Sequence, residues 1–155
     1  MTDLPVYDVI ALSLPAAEKA TGLPRQLIRA RAWWGDFDLH HAGHRRGKAL
    51  IRAATLFRWA PAWEAYREAH DDGGHRWAER FIFDPVEQPP VYSFISCGLD
   101  DAADRTGVST ATLRLAIRNG DLVPRYAGEK QGKLLFRAAD LDAWVLSLPT
   151  ERYRE

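Results

Sequence analysis

Apolar positions are spaced most regularly between residues 99 and 144. They recur there three or four residues apart, the spacing of helices that bury one face, and two short extended runs separate the helical stretches. The pattern predicts the order helix, helix, strand, strand, helix. The expected helices cover 99–106, 110–118 and 138–148, and the expected strands cover 122–125 and 133–137.

The second predicted helix has two different faces. Leu113 and Ile117 are its inward positions, whereas Thr110, Arg114 and Arg118, spaced four apart, share the outward face. A helix that is held by its apolar side and presents hydroxyl and guanidinium groups on the other is suited to the major groove of DNA. With the hairpin that follows, this is the element order of a winged helix-turn-helix.

The predicted hairpin has a glycine-rich tip between Gly128 and Gly132. Lys130 lies within the tip and Lys133 directly follows it. Glycines leave the backbone unobstructed, so a loop of this kind can approach phosphates or the minor groove closely. The hairpin is therefore expected to act as a wing.

The stretch LDDAADRTGVSTATLRLAIRNGDLVP, followed by the hairpin and RAADLDAWV, resembles the small winged helix-turn-helix of excisionases and MerR-type regulators. The resemblance covers about 46 of the 155 residues. It implies a DNA-binding module and no catalysis. The contacts that it implies are Thr110, Thr112, Arg114 and Arg118 on the groove helix and Lys130 and Lys133 on the wing.

The sequence also repeats itself at an offset of 85 residues. Between residues 5–59 and 90–144, 21 of 55 positions are identical without a gap. We interpret the chain as a tandem duplication and predict a mainly α fold with small β-hairpin wings, built from two tandem winged helix-turn-helix domains. The predicted divisions are a first domain at 1–60, a helical segment with a Pro-rich linker at 61–89, a second domain at 90–149 and a polar tail at 150–155.

The first copy keeps the glycines of the framework and changes the positions expected to touch DNA. Arg29 aligns with Arg114, but Trp33 stands where the second copy has Arg118. The contacts predicted for the first copy are Arg25, Gln26 and Arg29 on its groove helix and Arg45, Arg46 and Lys48 on its wing. The alternative to DNA contact is that these charged side chains are solvated or form ion pairs within the protein. Trp33 and Trp34 are expected to be buried, against the unrepeated segment or against another subunit.

The formal net charge is zero, but the charges are unevenly distributed. Residues 10–60 contain nine Lys or Arg against three Asp or Glu, whereas residues 61–93 contain three against seven. The first copy is therefore the basic one, which is compatible with a nucleic-acid partner.

Other classes of function find little support in the sequence. The single cysteine, Cys97, excludes an internal disulfide and favours a reducing cytosol, and no apolar run approaches the roughly 20 residues that cross a bilayer. His40, His41 and His44 lack the further ligands that would complete a metal site, and no catalytic constellation stands out. We expect no enzymatic activity, no cofactor, no membrane contact and no small-molecule substrate, in a cytoplasmic, nucleoid-associated protein.

Double-stranded DNA is the predicted partner, with a recombinase or a second copy of the chain as further candidates. The leading hypothesis is a transcriptional regulator or an excisionase-like architectural factor of a mobile element. It would read two unequal half-sites, and the linker would raise the effective concentration of the second domain. The alternative is a protein-interaction scaffold with weak or single-domain DNA binding, whose interface contains Trp33, Trp34, Trp63 and Tyr66.

Overall fold

The computed structural model describes residues 5–42, 48–69, 81–83, 89–126 and 133–150. Within these ranges the fold is mixed α/β, with six helices and eight short strands, and is compatible with helix-turn-helix domains that carry small wings. The first half contains β1 (Val6–Tyr7), β2 (Ala11–Ser13), α1 (Leu14–Thr21), α2 (Arg25–Trp33), β3 (His40–His41), β4 (Ala49–Arg52) and α3 (Ala53–Ala69). The second half contains β5 (Val91–Tyr92), β6 (Ser96–Cys97), α4 (Leu99–Thr106), α5 (Thr110–Arg118), β7 (Arg125–Tyr126), β8 (Leu134–Arg137) and α6 (Ala138–Ser147).

Each half has one small antiparallel sheet. The strand orders are β2-β4-β3 and β6-β8-β7, and the last strand of each half leads directly into a helix. Strands β1 and β5 pair in parallel, with Val6 opposite Val91 and Tyr7 opposite Tyr92. Residues that the 85-residue offset aligns, hereafter called aligned residues, therefore face each other across this pair. The duplication itself stays a prediction.

Serine caps and glycines fix several helix ends. At the starts of α1 and α5, the hydroxyl oxygens of Ser13 and Ser109 accept hydrogen bonds from the backbone N–H groups three residues later. Helices α1 and α4 end at Gly22 and Gly107, which have φ angles of 76° and 77°. This left-handed conformation favours glycine and turns the chain sharply into the next helix.

Helix α3 is longer than the sequence pattern suggests. It runs without interruption from Ala53 to Ala69 and contains Pro61 in its interior. The predicted division between residues 60 and 61 therefore falls within a helix. The divisions themselves stay a prediction, and residues 70–80, 84–88 and 151–155 lie outside the described ranges.

Two apolar clusters form the core. The largest fully buried members of the first cluster are Ile28, Leu39, Ile51, Leu56 and Trp59. The second cluster combines Leu113, Phe136, Leu141 and Val145 of the second half with Ile10, Ala11, Ala42 and Leu50 of the first half. Because the second cluster contains side chains from both halves, the halves share a core.

Polar contacts also join the two halves. The guanidinium of Arg52 donates two hydrogen bonds of 3.0 Å to the carboxylate of Asp142. Burial, followed by the negative charge of Asp142, raises the pKa of the neighbouring Tyr92 above its ordinary value. The ring Nδ1 of His40 lies 3.1 Å from the carbonyl oxygen of Leu148. Packing therefore fixes the arrangement of the two halves.

Candidate nucleic-acid interface

Helix α5 of the second half separates an apolar face from a cationic one. Leu113 and Ala116 are buried, whereas Arg114 and Arg118 are exposed and Thr110 is half-buried. The Ser109 cap fixes the first residue of α5. It thereby fixes which side chains share the outward row, namely Thr110, Arg114 and Arg118. This row is a chemically suitable surface for phosphates and base edges.

Thr112 lies on a different side of α5. Its hydroxyl oxygen is 2.9 Å from that of Ser109, and its backbone N–H donates to the same serine oxygen at 3.1 Å. It also lines a cleft of about 210 Å³ together with His41, Leu115 and Asn119. The structure therefore places Thr112 at the helix cap and beside β3 of the first half, apart from the outward row.

In the first half, four of the predicted contact residues line a single open cleft. This basic cleft, of about 430 Å³, lies between the start of α1, helix α2 and strand β4. It is lined by Ser13, Leu14, Pro15, Arg25, Gln26, Arg29, Lys48 and Ala49. Three cations on one concave surface can hold a phosphate backbone.

Arg25 is already held by an acid on the neighbouring helix. Its guanidinium donates to Glu18 at 3.0 Å, and its backbone N–H donates to the same carboxylate at 2.9 Å. These hydrogen bonds, first the backbone one, lower the pKa of Glu18. Because α2 begins after Pro24 and has no side-chain cap of its own, the Glu18 carboxylate takes the place of the cap.

The end of α2 contains a buried charged network that sequence reasoning missed. The guanidinium of Arg31 donates to both carboxylate oxygens of Asp36, at 2.7 and 2.9 Å, and the indole N–H of Trp59 donates to the same carboxylate at 3.0 Å. Arg31 is only 3% exposed. One signal in the sequence could have indicated that Arg31 is buried: it aligns with Ala116, which lies on the inward face of α5.

The aromatic residues at this end of the helix are partly misplaced by the sequence prediction. Trp33 and Trp34 are 48% and 57% exposed, so their expected burial against the unrepeated segment is wrong, and burial against another subunit stays a prediction. Trp63 is 2% exposed and packs against Trp59 and Phe81 in the first cluster. Trp63 therefore belongs to the core and cannot contribute to the interface that the scaffold alternative predicts.

The wings are described only in part. Lys48 and Lys133 are exposed and precede the aligned strands β4 and β8. Arg45, Arg46 and Lys130 lie outside the described residues. No helix of the described ranges is long and apolar enough to cross a membrane, and no three His, Cys, Asp or Glu side chains in those ranges form a metal-binding group.

Comparison with known proteins gives a match to a protein family. Residues 97–148 match the family described as a helix-turn-helix domain, and this range covers the second half from β6 to the end of α6. No curated protein and no solved structure gives a significant match. The family match and the geometry agree on the second half, whose helices α4 and α5 have the order of a helix-turn-helix domain.

Proposed function

We propose that the protein binds double-stranded DNA through both halves, as a transcriptional regulator or as an excisionase-like architectural factor of a mobile element. In this proposal it acts by binding, without a catalytic step. The observation that carries it is the exposed pair Arg114 and Arg118, one turn apart on the second helix of the matched domain. In helix-turn-helix domains, the second helix is the one that enters the major groove.

The charge distribution of the second half supports this orientation. Helix α5 contains two arginines and no acidic residue. The preceding helix α4 presents Asp100, Asp101 and Asp104 to solvent. Phosphates would be attracted to α5 and repelled by α4, so the α5 side is the one that would face DNA.

In this proposal, the first half mainly positions the protein on the duplex by binding phosphates, and contributes less to recognition of the base sequence. In the basic cleft, Arg29 and Lys48 flank a concave surface, while Arg25 is directed by its ion pair with Glu18. Contacts of this type bind phosphates and set the register of a protein on the duplex. Since the halves share a core, the distance between the two contact surfaces would be constant, and the two half-sites would have one spacing.

The test combines selection from a random duplex pool at two salt concentrations with binding titrations of single variants. Arg114→Ala is expected to weaken binding by about 1–3 kcal/mol and to relax one position of the selected motif. Arg29→Ala is expected to weaken binding to all sequences alike and to reduce the salt slope by about one unit. Arg67→Ala, an exposed arginine on α3, is the matched control. Unchanged affinity and salt slope in both test variants would refute the proposal.

A second candidate function follows from the exposed aromatic pair on α2. Trp33 and Trp34 occupy the positions where the second half has Arg118 and Asn119, and aromatic side chains are enriched at protein interfaces. The alternative is an interaction scaffold in which DNA binding is weak or confined to one half. Weak retention on heparin together with a partner lost on Trp34→Ala substitution would favour it. Strong heparin retention that Trp34→Ala leaves unchanged would favour DNA binding.

A further inference from the structure

Besides the β1–β5 pair and the contacts of Arg52 and His40, the two halves contact each other through two different surfaces. On the first half, the contact surface consists of Ile10, Ser13 and Leu50, and we name it the strand face. On the second half, it is the turn between α4 and α5 at Arg105 and Gly107, which we name the turn face. The backbone N–H of Ile10 donates to the carbonyl oxygen of Arg105 at 2.6 Å, and the Ile10 side chain is fully buried.

The fit between these surfaces depends on a glycine. A side chain at Gly107 would place its Cβ 3.1 Å from the backbone nitrogen of Ser13 and 3.2 Å from the Cδ2 of Leu50. To admit a Cβ at these distances, the neighbouring atoms would have to move by a few tenths of an ångström. The turn face and the strand face are therefore closely packed.

The aligned strand face of the second half is open. Ile95, which aligns with Ile10, is 85% exposed, although the two residues are identical. It lines an open cleft of about 390 Å³ together with Tyr92, Phe94 and Arg137. Gly98 and Leu135, which align with Ser13 and Leu50, are half-buried, so the exposed apolar side chain of this face is that of Ile95.

The aligned turn face of the first half is open as well. Gly22 has the same left-handed conformation as Gly107, but a Cβ there would meet no atom of the described residues within 4 Å. Ala20, which stands where the second half has Arg105, is also exposed. Each half therefore uses one of the two surfaces inside the chain and leaves the other uncovered.

We propose that a second copy of this chain docks the turn at Ala20 and Gly22 against the strand face around Ile95. A contact between two different surfaces is heterologous. In a pair of copies, one copy keeps a free turn and the other keeps a free strand face, so further copies can add until a ring closes or an open filament grows. The chain itself suggests this occupant. Inside the chain, the turn at Arg105 and Gly107, which aligns with Ala20 and Gly22, already covers the strand face at Ile10, which aligns with Ile95. DNA binding is not needed for this association.

The side chains around the proposed contact are compatible with it. Inside the chain, Arg52 of the first half pairs with Asp142 of the second. The aligned pair would be Arg137 and Phe57 of the second copy, both exposed in the single chain. A guanidinium over an aromatic ring would take the place of the ion pair, so this pair brings no like charges together.

Sedimentation velocity over a concentration series tests the proposal. The wild-type chain is expected to associate as its concentration rises. Ile95→Glu is expected to weaken this association about tenfold or more, because it places a charge in the apolar contact. Gly22→Asn should also weaken association, because the added side chain would clash with the strand face of the second copy. The single chain should tolerate the substitution, because asparagine adopts the left-handed conformation and the described residues leave open space there. The matched controls are Ile82→Glu, at a residue 88% exposed, and Gly120→Asn, at a glycine with φ 81°.

Mixing the two test variants distinguishes a heterologous contact from a symmetric one. Ile95→Glu retains a working turn and Gly22→Asn retains a working strand face, so the mixture is expected to form a one-to-one complex that stops there. A wild-type chain that stays monomeric at every soluble concentration overturns the proposal. So does association that both variants leave unchanged, or a mixture that forms no mixed complex. Circular dichroism of each variant checks that it is folded.

Discussion

The ends of helices α2 and α5, the second helix of each helix pair, show how one fold position can be stabilised in two ways. In the first half, Arg31 and Asp36 form a buried ion pair to which Trp59 donates its indole N–H. In the second half, the residue aligned with Arg31 is Ala116, a small buried side chain, and the aspartate aligned with Asp36, Asp121, is exposed. The first half thus stabilises its helix end by charge pairing and the second by apolar packing.

This difference bears on what each helix can offer to DNA. Arg31 is surrounded by the rings of Trp34, Trp63 and Phe81, at 4.9–5.6 Å from its guanidinium carbon, so its charge is engaged inside the protein. The cations of α5, Arg114 and Arg118, remain exposed. The first groove helix therefore serves internal packing to a greater extent, and the second is the better candidate for reading DNA.

The largest effect is expected from removing the buried acid of the first half. Asp36→Ala would leave the Arg31 guanidinium and the Trp59 indole N–H without their acceptor in a buried site. Loss of one partner of a buried ion pair costs about 3–5 kcal/mol. Urea denaturation should report a decrease of that size in the free energy of unfolding.

The aligned aspartate supplies the control for this prediction. Asp121→Ala changes an exposed side chain and is expected to alter the free energy of unfolding by no more than about 0.5 kcal/mol. Equal effects of the two substitutions would remove the distinction between the halves. A small effect of Asp36→Ala would mean that water reaches the Arg31 site.

Local features of the fold could be predicted from the sequence, because they depend on neighbouring residues. Helix periodicity, the Ser109 cap and the left-handed conformations of Gly22 and Gly107 each determine structure within a few positions. The environments of Ile10 and Ile95 could not be predicted in this way. These identical residues occupy aligned positions, yet one is buried and the other is 85% exposed, since only the packing of one half on the other distinguishes them.

The candidate site shows the same limit. Grouping Arg25, Gln26, Arg29 and Lys48 followed from the expected fold, and the structure places them around one cleft. The cap of α2 by Glu18 joins residues seven apart on two helices, and no motif signals it. Long-range geometry decides which cations are exposed and which are paired.

A smaller effect is expected from the ion pair that joins the halves. The side chains of Arg52 and Asp142 are 11% and 13% exposed, and Arg52→Ala should lower the free energy of unfolding by about 2 kcal/mol. If the halves form one unit, unfolding should remain a single transition when followed by fluorescence and by circular dichroism. Arg137→Ala, at the aligned exposed arginine, is the control. Two separate transitions in the wild-type chain would show that the shared core does not couple the halves.

The two groove helices can also be compared by exchanging a residue. Arg118→Ala is expected to weaken DNA binding by about 1 kcal/mol and to reduce the salt slope by about one unit, because one phosphate-binding cation is lost. Trp33→Arg places an arginine at the aligned position of the first half. If α2 faces the duplex, this substitution should raise both the affinity for DNA and the salt slope. Fluorescence anisotropy at several salt concentrations measures both. No gain from Trp33→Arg would mean that α2 lies away from DNA.

The smallest effect concerns how the two groove helices begin. The lowered pKa of Glu18 means that its carboxylate stabilises the folded state above the ordinary pKa of a glutamate and loses this contribution as the pH falls through the lowered value. Glu18→Gln should therefore be less stable than the wild type near neutral pH, with a difference that disappears in acid. Ser109→Ala, which removes the hydroxyl cap of α5, should lower stability by an amount that does not change with pH, because serine does not titrate. Urea denaturation between neutral pH and pH values below the glutamate range distinguishes the two. A pH-independent difference for Glu18→Gln would show that the carboxylate charge does not hold Arg25, and that the two helix starts are stabilised in the same way.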